Sequence, residues 1–164
     1  MTRLFLPAAL PAALLALAAC SPSSGETGPR SVEAAPTVHP VSGLKVVTLT
    51  VTHAGQPHAF RVELAQSEPQ QAQGLMFRTA MGADEGMIFP MNPPRGASFW
   101  MRNTLIPLDI VFIGTDGRIS NIAANAIPGD ETPLSSIAAV RGVLELNGGR
   151  AAQLGIVPGD KVEW

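Results

Sequence analysis

FWMRNTLIPLDIVFI, residues 99–113, contains two apolar runs with a polar corner between them. The first run predicts a strand over 97–101, and the second predicts a strand from Leu108 to Ile113. The corner consists of Arg102, Asn103 and Thr104, all hydrogen-bond donors. We expect these two strands to form the centre of the domain, with the remaining elements arranged around them.

The surrounding sequence predicts more short strands. From Leu44 onward, apolar and polar residues alternate with period two, and a turn at 54–57 predicts a hairpin. Ser67 and Gln70 have the spacing of a capping box and predict a helix that runs to about Phe77. We count about eight short strands and one or two short helices. The predicted fold is therefore mainly β (α+β), a small, curled, barrel-like and mostly antiparallel sheet.

Composition excludes several classes of protein. The chain has 46% hydrophobic and 15% charged residues, which is typical of a packed globule. A net charge of −2 and a pI near 5.9 argue against nucleic-acid binding. The three histidines show no HxH or HExxH spacing, so we expect no zinc site and no cofactor.

The first 19 residues predict a signal peptide. Arg3 is their only charged residue, and the apolar residues 4–19 are too few and too interrupted by Pro7 and Pro11 for a transmembrane helix. The tetrapeptide ending at Cys20 (LAAC) resembles the bacterial lipobox, in which the cysteine is lipidated and becomes the mature N-terminus. A plain secreted protein with a spare thiol is the alternative.

Lipidation at Cys20 predicts where the protein is located. The expected site is the bacterial cell envelope, facing the periplasm, with the membrane as a partner through the N-terminal lipid. Ser21 stands where an aspartate would be expected in an inner-membrane lipoprotein, and this resemblance favours the outer membrane. Residues 20–43 are rich in Ser, Pro, Gly and Thr and predict a flexible linker, so the single globular domain is expected over 44–164.

Five segments resemble, in order and spacing, the bacterial and archaeal family known as domain of unknown function 192. They are GLMFR (74–78), GMIF (86–89), FWMRNT (99–104), PLDIVFI (107–113) and LELNGG (144–149). The resemblance covers the chain from about Val46 to Val162. Gln71 departs from it, at a helix position that is often basic in the family. The resemblance implies a small β-rich domain and export, without an established activity.

Asp109 and Glu145 are the candidate site carboxylates, because each interrupts an apolar strand. An ionised carboxylate is costly to bury without a partner. The donors available to them are Arg78, Arg102, Asn103 and Thr104. Three interpretations remain open: a structural polar network, a ligand pocket that includes Trp100, and a carboxylate pair in a hydrolase of envelope polymers. No nucleophile, metal cluster or phosphate-binding loop accompanies the carboxylates, so catalysis is the least favoured.

Methionines offer a further hypothesis. Five of the six lie within 76–101, and thioethers are soft ligands that select Cu(I), so Met76, Met87 and Met101 are candidate copper ligands. Packing in an irregular core is the favoured explanation. We therefore expect a non-catalytic binding or accessory module with an unknown envelope partner or small ligand. A periplasmic copper-binding protein and a hydrolase are the alternatives.

Overall fold

The computed structural model describes residues 37–164. The predicted signal peptide, Cys20 and most of the predicted linker lie outside the described residues. Within the described part of the chain, no helix is long and apolar enough to cross a membrane.

Nine strands and two short helices make up the described chain. They are β1 (Val46–His53), β2 (Gln56–Leu64), α1 (Glu68–Gln73), β3 (Glu85–Arg95), β4 (Ser98–Phe99), β5 (Leu108–Gly114), β6 (Ile119–Ala126), β7 (Leu134–Ser135), β8 (Val140–Asn147), α2 (Arg150–Gln153) and β9 (Lys161–Glu163). The mainly β, α+β prediction is confirmed.

Seven strands form one sheet in the order β6-β5-β8-β3-β2-β1-β9, and β4 and β7 form a separate two-stranded sheet. All pairs in the large sheet are antiparallel except β2 with β3. The sheet curls but is not closed, because no continuous ladder of hydrogen bonds joins its first and last strands. A single bridge between Arg118 and Lys161 links these two ends. The two strands of the segment 99–113 are therefore not partners. β5 lies between β6 and β8 in the large sheet, whereas β4 belongs to the small sheet, so the two strands do not form the centre of the domain together.

Local sequence explains the hairpin and the first helix. Ala54 and Gly55 both have positive φ, 46° and 80°, which is the geometry of the tight turn that best fits the twist of a hairpin. Ser67 and Gln70 form the predicted capping box at the start of α1. The helix ends at Gln73 instead of continuing to Phe77, because Gly74 leaves helical geometry at φ 48°.

Apolar residues cover both faces of β5 and β8. Val111, Ile113 and Leu144 belong to a cluster on one face of the sheet, together with Ala151 of α2. Ile110, Phe112 and Val143 belong to a second cluster on the opposite face, together with Leu75 and Met101. β5 and β8 are buried on both faces, which explains why their sequences are nearly continuous apolar runs.

The described chain begins seven residues before the predicted domain start at Leu44. Val38 forms an isolated bridge with Lys45, and the backbone N–H of Val46 donates to the carbonyl of Thr37 at 2.8 Å. Ser42 donates a hydrogen bond to the buried carboxylate of Glu63. Residues 37–43, which the sequence assigned to the flexible linker, therefore make specific contacts with the domain.

Candidate functional site

Asp109 lies at the start of β5 and is completely buried. Its carboxylate accepts hydrogen bonds from three backbone N–H groups, those of Asn125 (2.7 Å), Gly149 (2.9 Å) and Ala151 (2.8 Å). The last two belong to the start of α2. Its N-cap residue, Gly149, has no side chain to accept these hydrogen bonds, and Asp109 supplies the acceptor instead. Asp109 is thus a structural residue that holds α2 against the sheet.

Glu145 lies on the neighbouring strand, β8, but on the opposite face of the sheet. It pairs in register with Ile110 of β5, while Asp109 pairs with Leu146. Because paired residues point to the same face, the two carboxylates point away from each other. They do not form the predicted pair, and a two-carboxylate hydrolytic site is not supported by this geometry.

The side chain of Glu145 is buried, with only 5% of the residue exposed. Its Oε2 atom has no hydrogen-bond partner in the described part of the chain. Its register neighbours on this face are Met87 of β3 and Ile110 of β5, which offer no hydrogen bond. Burial in these apolar surroundings raises the pKa of Glu145 to about 8, because desolvation penalises the charged form. Glu145 is therefore mostly a neutral carboxylic acid at pH 7.

A cleft of about 340 Å³ opens above Glu145, which contributes to its lining. Phe89 and Phe99, whose rings meet edge to face at 5.1 Å, contribute aromatic surface to the cleft. Trp100, 46% exposed, and the buried Thr104 also line it. Of the predicted site residues, the structure therefore brings together Trp100, Thr104 and Glu145. This cleft is the candidate functional site.

Arg78 forms a different, satisfied network. Its guanidinium contacts the carboxylate of Glu63 at 2.8 Å, and both side chains are almost completely buried. His39 approaches both, with Nε2 3.6 Å from Glu63 Oε1 and 3.2 Å from Arg78 Nη1. Sequence analysis missed Glu63, because its alternation with Phe60 and Val62 placed it on a solvated face. That face is covered by the second apolar cluster and by residues 37–43.

Arg102 and Asn103 are exposed and contribute little to the cleft. Arg102 contacts Glu131 at 2.5 Å, and its guanidinium lies 4.0 Å from the ring centre of Trp100. Asn103 adopts φ 57°, and its carbonyl accepts the backbone N–H of Phe77 at 2.8 Å. These contacts join the corner to the segment after α1 and so shape one rim of the cleft.

The three candidate copper ligands have different surroundings. Met87 and Met101 are buried in the second apolar cluster, where Met91 also packs. Met76 is half-buried, lines the cleft, and its sulfur lies 3.8 Å from Asn103 Nδ2. No group of three or more His, Cys, Asp or Glu residues suited to a metal occurs in residues 37–164. Burial among aliphatic and aromatic side chains favours a packing role for Met87 and Met101.

Comparisons with known proteins agree with this architecture. The model of the family DUF192, described as "Uncharacterized ACR", matches residues 49–164. The chain belongs to the DUF192 family. A crystal structure of a protein of unknown function from Novosphingobium aromaticivorans resembles this DUF192 chain with a TM-score of 0.78 and 63% identity, covering 80% of this chain and 94% of that one.

A second crystal structure, from Sinorhizobium meliloti, resembles this DUF192 chain with a TM-score of 0.71 and 41% identity. The match covers 73% of this chain and 94% of the other, whose description proposes a role as a transcription regulator. The comparison with curated proteins found no match.

Proposed function

We propose that this DUF192 domain is a non-catalytic module of the bacterial cell envelope that binds a small ligand in the cleft above Glu145. The observation that carries the proposal is that Glu145, whose buried Oε2 atom has no partner among the described residues, lines a cleft that also has aromatic side chains in its lining. A buried polar atom without a partner costs roughly 1–3 kcal/mol, so a protein of purely structural function gains nothing from keeping it. A ligand that pairs with this atom recovers that free energy.

The shape and lining of the cleft support this role. Its volume of about 340 Å³ lies at the lower end of the range for small-molecule sites, which combine apolar walls with a few polar groups. Catalysis is less well supported, since Asp109 is fully engaged in structural hydrogen bonds on the other face of the sheet. Glu145 is therefore the one acid in the described lining of the cleft.

The two tryptophans provide an internal test of binding. Trp100 lines the cleft, whereas Trp164 packs over Gly142 with Arg141 above its ring and lies outside the cleft lining. We expect members of a panel of small aromatic fragments to shift the indole N–H signal of Trp100 in NMR spectra of the purified protein. The Trp164 signal serves as the control. If no fragment shifts the Trp100 signal, or if both indoles respond equally, the cleft is not a binding site.

We further propose that the protein is exported and anchored to the outer membrane through a lipid on Cys20. The apolar residues 4–19 followed by LAAC support this, as does the need to explain a single cysteine in an exported chain. The wild-type protein is expected to fractionate with membranes and to carry acyl mass at its N-terminus, whereas Cys20→Ser is not. Recovery of unacylated wild-type protein in the aqueous phase would disprove the anchor.

A further inference from the structure

The charges around the cleft are arranged asymmetrically. Arg95 lines the cleft, is exposed, and has no acidic partner among residues 37–164. Arg102 lies over Trp100 at the rim and is paired with Glu131. The described lining of the cleft thus contains one guanidinium group without an acidic partner, that of Arg95, and one carboxyl group, that of Glu145. The unpaired positive charge of Arg95 disfavours a cationic ligand in this cleft.

Arg95 is the other charged residue in the described lining of the cleft, and burial is the cause of the raised pKa of Glu145. Glu63 lies on the same face of the sheet, one strand beyond Met87, and is paired with Arg78. Asp109 points to the opposite face. β5 contributes Ile110 beside Glu145, and β3 contributes Met87. A ligand atom in the cleft is therefore the natural partner of the Glu145 carboxyl group.

A neutral carboxylic acid can donate a hydrogen bond from its O–H, whereas an ionised one can only accept. Burial strongly favours the neutral form here, since Glu145 has a pKa of about 8. Binding a cation would first require loss of that proton in an apolar site. Binding an oxygen acceptor requires no change of charge, and it satisfies the carboxyl group directly.

We propose that the ligand is a small molecule with an apolar, aromatic-compatible body and a carbonyl-type oxygen, and that Glu145 binds this oxygen by donating a hydrogen bond from its neutral carboxyl group. The inference rests on the proposed function, namely that the cleft binds a small ligand. It adds the chemical class of the ligand and the direction of the hydrogen bond. Glu145 is a binding residue, and it donates this hydrogen bond only while its carboxyl group is protonated.

Three probes of similar size separate the alternatives: phenylacetamide, which has a carbonyl oxygen, phenethylammonium, which is a cation, and ethylbenzene, which has neither. Each is titrated against the purified wild-type protein at pH 6 and pH 9, with the Trp100 indole signal as the readout. We expect phenylacetamide to bind best, and about tenfold more tightly at pH 6 than at pH 9, where roughly a tenth of Glu145 stays protonated.

Two variants give matched controls. Glu145→Gln keeps the size and a donor group, so it should bind phenylacetamide at both pH values without the pH dependence. Glu145→Leu keeps the approximate size but has no donor, so it should lose the preference for phenylacetamide over ethylbenzene. Melting temperatures of both variants establish that they are folded before binding is compared.

Each contrary outcome is informative. If phenethylammonium binds more tightly at pH 9 and Glu145→Gln abolishes its binding, the ligand is a cation and this inference is overturned, while the proposed function survives. If all three probes bind equally, Glu145 takes no part in recognition and the inference is again overturned. If no probe perturbs Trp100 at any pH, both the inference and the proposed binding function fail.

Discussion

Two carboxylates on adjacent strands have opposite surroundings. Asp109 accepts three backbone hydrogen bonds, whereas the Oε2 atom of Glu145 has no partner in the described chain. The sequence presents both in the same way, as single acids within apolar strands. Their different environments arise from the faces on which they lie, because one face meets the N-terminus of α2 and the other meets the cleft.

The pKa of Glu145 predicts a specific dependence of stability on pH. Its folded value of about 8 exceeds the ordinary value of 4.5, so the folded state holds the proton more tightly than the unfolded state. This contribution to stability is complete below about pH 4.5 and is lost as the pH rises through 8, by up to roughly 1.4 kcal/mol for each pH unit. Chemical unfolding at pH 5 and pH 8 measures it.

Glu145→Gln is the matched variant for that measurement, since glutamine does not ionise. We expect the variant to gain stability relative to the wild type between pH 5 and pH 8. The same difference at both pH values would show that Glu145 is not held in its neutral form.

Asp109→Asn should destabilise the domain by about 1–3 kcal/mol, because the amide has only one oxygen to serve three N–H donors and directs its own NH₂ group at one of them. The free energy of unfolding at pH 7 tests this expectation. Glu163→Gln is the control, because that carboxylate is exposed and is paired with the exposed Lys161. An unchanged unfolding midpoint for Asp109→Asn would contradict the structural role.

At the scale of the element, residues 37–43 form part of the domain. Ser42 and His39 both contact Glu63, which is almost completely buried with Arg78. Removing them uncovers a buried ion pair and leaves Glu63 without one of its donors. We therefore expect a chain that begins at Leu44 to be less stable than one that begins at Thr37 by about 1–3 kcal/mol.

Thermal unfolding of the two chains measures this difference. Val41→Ala provides the control, because the side chain is 77% exposed and its truncation should change stability by less than about 0.5 kcal/mol. Equal melting temperatures for the chains that begin at Leu44 and Thr37 would show that residues 37–43 belong to the flexible linker and do not stabilise the domain.

At the scale of the whole molecule, β9 connects the two ends of the curled sheet. It pairs with β1, and the N–H of Val162 donates to the carbonyl of Gly117 at 2.8 Å, just before β6. Val162 is also buried in the first apolar cluster. Since its truncation removes core contacts where the ends meet, Val162→Ala should cost about 2 kcal/mol or more.

Hydrogen exchange tests the connection separately from stability. In Val162→Ala, the amide of Ile119, which donates to the carbonyl of Asp160, should lose protection together with the amides of β1. Glu163→Ala, on the exposed side of the same strand, should leave both unchanged. Loss of protection confined to β9 would show that the two ends of the sheet are independent.

The sequence alone determined the features that depend on neighbouring residues. The turn at Ala54 and Gly55, the capping box of Ser67 and Gln70, and the mainly β content follow from local backbone preference and from period-two alternation. The importance of Glu145 was also visible, because an acid within an apolar strand is costly wherever that strand is buried.

Only the tertiary structure decided which face each side chain meets. Alternation shows that Phe60 and Val62 share a face opposite Glu63, but it does not show whether the Glu63 face meets water or a second core. In this fold both faces are covered, so Glu63 becomes a buried partner of Arg78, and Asp109 and Glu145 separate. The cleft likewise depends on tertiary structure. β4 pairs with β7 outside the main sheet, and Phe99 and Trp100 line the same cleft as Glu145. No local sequence pattern specifies this long-range arrangement.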